Sequence, residues 1–216
     1  MDQLRGVPCR RIGPLPYRPP IGQGGKMSNV IAETARLRLR EWEEDDRIRF
    51  YERMNRPDVM QHLGGIQSFE EWEKPFERLV AMQRDYGHTF WVLEDRHSGA
   101  IAGFCGLKRV NSQGTDMTGQ FEIGWRLHPD YWGKGIAKEA AIASLDLAFG
   151  TFAAPHVIAL TVEGNRESWG LMLRLGMSRR EDLDFNDPRY GPDLNPTIVY
   201  LIKATDWPAA RAAALT

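Results

Sequence analysis

The chain has 216 residues, of which 42% are hydrophobic and 26% are charged, as in an ordinary globular protein. Its 28 basic residues nearly balance its 29 acidic ones, so no overall field would draw it to nucleic acid or to an anionic membrane, and we expect neither as a partner. Its two cysteines, Cys9 and Cys105, lie far apart, and no apolar run approaches about 20 residues. These features argue against a disulfide framework and a membrane span, and they favour the cytoplasm.

The first 29 residues are rich in proline and glycine and have no hydrophobic periodicity. We interpret residues 1–29 as a disordered or weakly ordered extension, and residues 30–216 as a single domain. Two alternatives remain open for the extension. It lies upstream of a true start at Met27, or it contacts nucleic acid or a ribosome through its basic residues, which are Arg5, Arg10, Arg11, Arg18 and Lys26.

Strand-like and helix-like patterns alternate from residue 30 onwards, which indicates an α/β fold. Leu37 and Leu39 alternate with arginines as in a half-buried first strand, and residues 45–54 predict a short helix that ends at Pro57. We expect strands at residues 89–94, 100–110 and 120–127, the first two forming a hairpin.

A capping box predicts the start of the longest helix. Ser68 is followed three residues later by Glu71, and apolar residues then recur at helical spacing to about Tyr86. Trp72 in this helix is the tryptophan that we expect to touch a substrate.

A strand that leads through a glycine loop into a helix is the segment that indicates chemistry. Residues 121–127 alternate apolar and polar side chains, Gly133 and Gly135 follow, and an apolar stripe begins at Ile136. A glycine loop before a helix start is a site for phosphate oxygens, although a Gly-x-Gly sequence also occurs in ordinary turns. Two known phosphate loops are excluded, because the sequence lacks the third glycine of a dinucleotide site and the Gly-Lys-Ser/Thr of a nucleoside triphosphate loop.

At this loop the sequence resembles a known family. Residues 132–137 resemble the Gln/Arg-x-x-Gly-x-Gly/Ala motif of the Gcn5-related N-acetyltransferases (GNAT), with Trp132 first, Gly135 in the glycine position and Ala137 last. Residues 34–40, 122–140, 165–168 and 175–177 resemble the branch typified by the ribosomal-protein-alanine (Rim-type) N-acetyltransferases. The resemblance covers roughly residues 33–203.

The resemblance implies a GNAT fold, with a mixed central sheet of about six to seven strands and helices on both faces. It implies acetyl-CoA as co-substrate and direct acetyl transfer to an amine in a ternary complex. Asn165 and Ser168 would face the thiol end of the co-substrate. The other implied binding residues are Ile123, Trp125 and Leu127 beside the pantetheine arm, with Trp132, Gly133, Lys134, Gly135, Ile136, Ala137 and Lys138 around the pyrophosphate.

Glu122, Asn165 and Ser168 are the candidate catalytic residues. Glu122 suits the general base that makes an amine nucleophilic, and its alternative role is a strand residue in an ion pair. Many GNAT relatives carry a tyrosine where this chain has Met172, so acid catalysis by tyrosine is in doubt and Ser168 becomes the candidate acid.

The leading function is therefore N-acetyl transfer to a primary amine, either a protein N-terminus or a small amino compound. The alternatives are a transferase for another acyl-CoA, such as succinyl-CoA, and a non-catalytic acyl-CoA-binding module. The polar insertion at residues 184–196 is long enough to indicate a functional or mobile loop, and the resemblance implies that it lies near the acceptor entrance. The oligomeric state is open, a homodimer included. No metal is expected, because the histidines are dispersed: His62, His88, His97, His128 and His156.

Overall fold

One eight-stranded sheet organises the computed structural model, which describes residues 29–216. The extension inferred for residues 1–29 thus falls, but for Asn29, outside the described residues. The strands are β1 Val30–Glu33, β2 Leu37–Arg40, β3 Phe90–Asp95, β4 Ile101–Arg109, β5 Phe121–Leu127, β6 His156–Val162, β7 Ser178–Arg179 and β8 Thr197–Lys203. The helices are α1 Asp46–Met54, α2 Pro57–Met60, α3 Phe69–Tyr86, α4 Ile136–Asp146, α5 Arg166–Arg174 and α6 Trp207–Ala214.

The strand order is β1-β2-β3-β4-β5-β6-β8-β7. Every neighbouring pair is antiparallel except β5 and β6, which run parallel. The mixed α/β class is therefore confirmed. The sheet has eight strands rather than about six to seven, because β1 and β7 are too short to show a period of two in the sequence.

Helices cover both faces of the sheet. On one face Phe50 of α1 and Phe76 of α3 pack with Phe104 of β4. On the other face the core contains Ala140 of α4, Leu171 of α5 and apolar residues from β2 to β8. This layered arrangement forms because each amphipathic helix buries its apolar side against one face of the sheet.

The predicted elements agree with the observed ones, with a few differences. The capping box at Ser68 is present, since its side chain accepts from the Glu71 amide while Glu71 accepts from the Ser68 amide. The strand containing Leu37 is the second, not the first. Pro57 also begins α2, where a proline at the first helical position loses no hydrogen bond.

Candidate active site in the split between β5 and β6

The two parallel strands at the centre of the sheet separate almost as soon as they meet. Glu122 of β5 is in register with Ile158 of β6, and this is the only register pair between the two strands. The sheet continues on both sides, because β4 pairs with all of β5 and β8 pairs with all of β6. A wedge-shaped split therefore opens between the C-terminal halves of β5 and β6.

One edge of β5 presents its main chain to this split. The Val110 amide donates to the Gln120 carbonyl, and the His128 amide donates to the Ala102 carbonyl. Since main-chain groups alternate in direction along a strand, even-numbered residues of β5 face β4. The main-chain groups of Ile123, Trp125 and Leu127 consequently face the split, as a bound extended chain would require. The indole of Trp132 closes the end of this edge by donating to the Leu127 carbonyl at 2.9 Å.

The glycine loop follows at the wide end of the split. Gly133 and Gly135 have φ values of 67° and 72°, which favour glycine over residues with a Cβ. In α4 the Glu139 amide donates to the Gly135 carbonyl at 3.0 Å, so the amides that precede it form the unpaired first turn of a helix. The glycine conformations and the helix start on which the predicted phosphate site at residues 133–138 depends are therefore present.

Arg36 holds this loop in place, a role that the sequence did not reveal. Its Nη1 donates to the Lys134 carbonyl at 2.8 Å, and its Nε donates to the Glu139 carboxylate at 2.6 Å. The Lys134 ammonium turns back to the Asp130 carbonyl at 2.7 Å. Ile136 is buried in the core, whereas Ala137 and Lys138 are half-buried. These contacts hold the loop in place at the start of α4.

A cavity of about 400 Å³ occupies the narrow end of the split. It brings together residues that are far apart in sequence and that the resemblance singles out. Among those lining it are Glu122, Ile123, Trp125, Asn165, Ser168 and Met172. Leu127 does not line this cavity, because its side chain is buried in the core on the other face of the sheet. The loop at residues 132–138 does not line the cavity either.

Glu122 is paired with a lysine on the neighbouring strand. The residue is 8% exposed and lies opposite Lys108 in the β4–β5 register. The Lys108 ammonium donates to Oε2 of Glu122. Among residues 29–216, Oε1 has no hydrogen-bond partner and remains able to accept a proton.

Asn165 begins α5 and uses its side chain as an N-cap. Its Oδ1 accepts from the Ser168 amide at 3.3 Å, which leaves the Asn165 side-chain NH2 and the Ser168 hydroxyl for other partners. Met172 lies one turn further on, is 1% exposed and reaches the same cavity. A thioether there is neither a proton donor nor a base.

Comparison of the chain with known protein families shows to which one it belongs. The sequence profile of the family described as Acetyltransferase (GNAT) domain matches residues 36–178. The chain belongs to this family. A protein of Bacillus subtilis (strain 168) named "Uncharacterized protein YkkB" is 33% identical over 145 residues, which cover 67% of this chain and 83% of the relative.

Solved GNAT structures share the fold. The acetyltransferase from Agrobacterium tumefaciens str. C58 matches with a TM-score of 0.68 and 24% identity, over 84% of this chain and 99% of that one. The RimL ribosomal L7/L12 alpha-N-protein acetyltransferase matches with a TM-score of 0.67 and 15% identity, over 85% and 98% of the two chains. The GNAT resemblance inferred from the sequence is therefore confirmed.

An aromatic wall faces Glu122 in this GNAT domain. Trp72 is 4% exposed, donates its indole N–H to the Arg47 carbonyl and lines the cavity beside Phe90 and Phe104. Gly124 makes room for this wall, because a Cβ built on it would stand 2.6 Å from Cζ of Phe90. Packing against the Phe90 ring therefore accounts for a glycine within β5.

The polar insertion before β8 forms the opposite rim. Asp187 is 1% exposed and accepts from the Gln113 amide and from the Arg189 side chain. The Arg189 guanidinium holds the pKa of the Asp187 carboxyl down at about 2, although burial opposes this shift. Arg189 and Tyr190 line the cavity, and the position of this segment at an acceptor entrance stays a prediction.

Two further observations bear on the chemistry. Burial raises the pKa of the Cys105 thiol to about 12, so this thiol is not an acyl acceptor at neutral pH. Within residues 29–216, no group of three or more His, Cys, Asp or Glu side chains could hold a metal.

In the same part of the chain no helix has the length and apolar character to cross a membrane.

Proposed function

We propose that this GNAT protein transfers an acetyl group from acetyl-CoA directly to a primary amine, in a ternary complex in the cytoplasm. The observation that carries the proposal is the single register pair between Glu122 and Ile158. It opens one continuous split that has the glycine loop at its wide end and a buried carboxylate at its narrow end. A co-substrate and an amine entering from opposite ends would meet at that carboxylate.

The residues around the split fit acetyl-CoA, which supplies the acetyl group as a thioester. Its pyrophosphate would take the unpaired amides of residues 133–138. Its pantetheine arm would pair with the main-chain edge of Ile123, Trp125 and Leu127 that faces the split, in the manner of an added strand. The exposed ring of Trp132 would cover the arm where the split is widest.

Glu122 acts as the general base in this proposal. An amine is protonated at neutral pH and attacks a thioester only when neutral, so a group in the cavity has to remove a proton. Oε1 of Glu122 takes that proton directly or through a water molecule. The Lys108 ammonium keeps Oε2 engaged and fixes the direction in which Oε1 points.

Asn165 and Ser168 act at the thiol end. The Asn165 side-chain NH2 is free to orient the pantetheine, since its Oδ1 is engaged in capping α5. The Ser168 hydroxyl is the candidate donor of a proton to the departing thiolate, because Met172 offers none. A coenzyme thiol is acidic enough that water also serves, so Ser168 is expected to contribute less than Glu122.

Thiol release from acetyl-CoA in the presence of a panel of amines and peptides tests this function. We expect release that depends on both substrates, with stoichiometric N-acetylation seen by mass spectrometry. Succinyl-CoA in place of acetyl-CoA tests the other donor. Tight acetyl-CoA binding with no transfer to any amine would identify a non-catalytic acyl-CoA-binding module and overturn the proposal.

A further inference from the structure

One arginine in the acceptor cavity lacks a counter-charge. Arg126 follows Glu122 by four residues on β5 and lies on the same face of the strand. Its guanidinium stacks over the Phe104 ring at 5.2 Å and lines the cavity. Among residues 29–216 it has no ion pair and no side-chain hydrogen bond, and its Nε is buried without a partner.

Arg126 is half-buried as a whole, and the fully buried arginine of the sheet shows how unusual its lack of a partner is. Arg40 is 2% exposed, and its guanidinium donates to Asp46 at 2.6 Å and to Glu94 at 2.9 Å. Burial lowers the pKa of Arg126 to about 10, whereas the pKa of Arg40 is raised by its two carboxylates against the effect of burial. Arg126 is therefore still charged at neutral pH. A desolvated cation without a partner is unfavourable unless a ligand supplies the counter-charge.

We propose that Arg126 binds a carboxylate of the acceptor, so that the preferred acceptor is an amine with a carboxylate several bonds away. This inference deepens the proposed function and rests on it. A guanidinium fits the planar carboxylate through two parallel N–H donors, which makes such a contact specific as well as strong. Arg78 on α3, exposed and with no ion pair within the described residues, adds positive charge to the opposite wall.

The strand geometry sets the distance between amine and carboxylate. Glu122 and Arg126 are four residues apart on one strand, so their Cα atoms are separated by roughly 13 Å. Both residues line the cavity. Between them the Phe90 ring covers Gly124. An acceptor that spans the two residues thus carries a spacer of several bonds between its amine and its carboxylate, and this spacer passes the Phe90 ring. Both an ω-amino acid and a peptide with an acidic second residue meet this requirement.

Matched acceptor pairs test the inference. The probes are 4-aminobutyrate and 6-aminohexanoate with their carboxamides, and the dipeptides Ala-Glu and Ala-Gln, both as C-terminal amides so that only the glutamate side chain supplies a carboxylate. We expect kcat/KM to favour the carboxylate member of a pair by about tenfold or more. The two kinds of pair distinguish a small amino acid from a peptide as the source. Greater preference for 2-aminoethyl phosphate over both carboxylates would overturn the carboxylate assignment.

Variants of Arg126 test whether this residue causes the preference for acceptors with a carboxylate. Arg126→Met should abolish the preference by raising KM for the carboxylate member while kcat changes little, and Arg126→Lys should retain part of it. The melting temperature of Arg126→Met should not fall, since the variant removes a desolvated charge. Arg84→Met, on the surface of α3 outside the cavity, is the matched control and should keep the wild-type preference.

A binding measurement separates failure of this inference from failure of the proposed function. Calorimetric titration of 6-aminohexanoate into the CoA-bound protein should show binding that Arg126→Met weakens by about tenfold or more. Binding of this kind without any acetyl transfer would sink the proposed function and leave the carboxylate site standing. Acetyl transfer with equal kcat/KM for both members of every pair would do the reverse.

Discussion

Lys108 and Glu122 lie directly opposite each other on β4 and β5, and the lysine ammonium donates to Oε2 of the glutamate. This pairing is compatible with both roles considered for Glu122, a strand residue in an ion pair and a general base. An ion pair across two strands stabilises the sheet, and a carboxylate held in a cavity acts as a base. The free Oε1 allows the second role without loss of the first.

Glu122→Gln is expected to lower single-turnover acetyl transfer by about 100-fold or more, within the range of general base catalysis. Acetyl-CoA binding should barely change, because the main-chain edge of β5 and the glycine loop keep their geometry. Single-turnover rates over a range of pH and calorimetric titration of acetyl-CoA measure the two quantities.

Lys108→Met is the matched variant for this prediction. It removes the same ion pair but leaves Oε1 of Glu122 in the cavity, so transfer should fall far less than in Glu122→Gln. If Glu122 were only a structural partner of Lys108, the two variants would lose equal activity and equal stability. That result would leave positioning in the split as the source of catalysis.

Gly135→Val is expected to raise the acetyl-CoA dissociation constant by about tenfold or more, or about 1.4 kcal/mol. The valine brings a branched side chain to the loop and strains a backbone with a φ of 72°. Gly99 has a φ of 70° and open space around it, so Gly99→Val is a control for backbone strain. An equal change in affinity in both variants would remove the loop from the co-substrate site.

The sequence predicted the parts of the site that depend on local patterns. The alternation in β5, the glycines before α4 and the asparagine that begins α5 are all signals within a few residues of each other. Helix starts and strand edges have fixed hydrogen-bonding properties, so these patterns predict a phosphate site beside a strand edge. That its ligand is acyl-CoA is what the GNAT resemblance implies. The helix over residues 69–86 was equally predictable from its capping box.

Long-range relationships were not predictable from those patterns. The contact between Arg36 and Glu139 joins residues 103 positions apart, and the pairing of Lys108 with Glu122 depends on the register across the connection between β4 and β5. The isolation of Arg126 emerges only when every neighbour is in place. Such features are set by how the sheet assembles, and one sequence carries no periodic signal for them.

Gly124→Ala is expected to destabilise the protein by about 1–3 kcal/mol, since its Cβ would overlap a ring in a packed wall. The Phe90 ring is held by its stack on Phe104 at 5.1 Å. Phe90→Leu should relieve the overlap, so the double variant should be more stable than the sum of the single effects. Urea unfolding of the four proteins in this cycle gives the coupling, and additive free energies would contradict the packing role of Gly124.

The last prediction concerns His88, which is 1% exposed and packs between Phe121 and Phe152 with ring centroids at 5.0 Å from each. Its Nδ1 lies 2.9 Å from the Leu107 carbonyl, and its Nε2 is buried without a partner. Burial lowers the pKa of this imidazole to about 4, and the charge of Arg109 adds to the shift while the Leu107 carbonyl opposes it.

A histidine pKa that is lower in the folded protein than in the unfolded chain fixes the sign of the pH dependence. Above about pH 6.5 the imidazole is neutral in both the folded and the unfolded state, so the free energy of unfolding carries no penalty from its protonation. As the pH falls from about 6.5 to about 4, the unfolded chain binds a proton that the folded protein excludes, and stability declines by about 3 kcal/mol in total.

His88→Phe keeps an aromatic ring between Phe121 and Phe152 but removes the titrating group. Its loss of the Leu107 hydrogen bond changes the free energy of unfolding by the same amount at every pH. Urea unfolding at about pH 7.5, 5.5 and 4.5 should therefore show the wild type losing its advantage over His88→Phe as the pH falls. Contributions from other groups, Asp187 included, cancel in this difference because both proteins share them. A difference that stays constant across this range would mean that His88 is protonated equally in the folded and unfolded states.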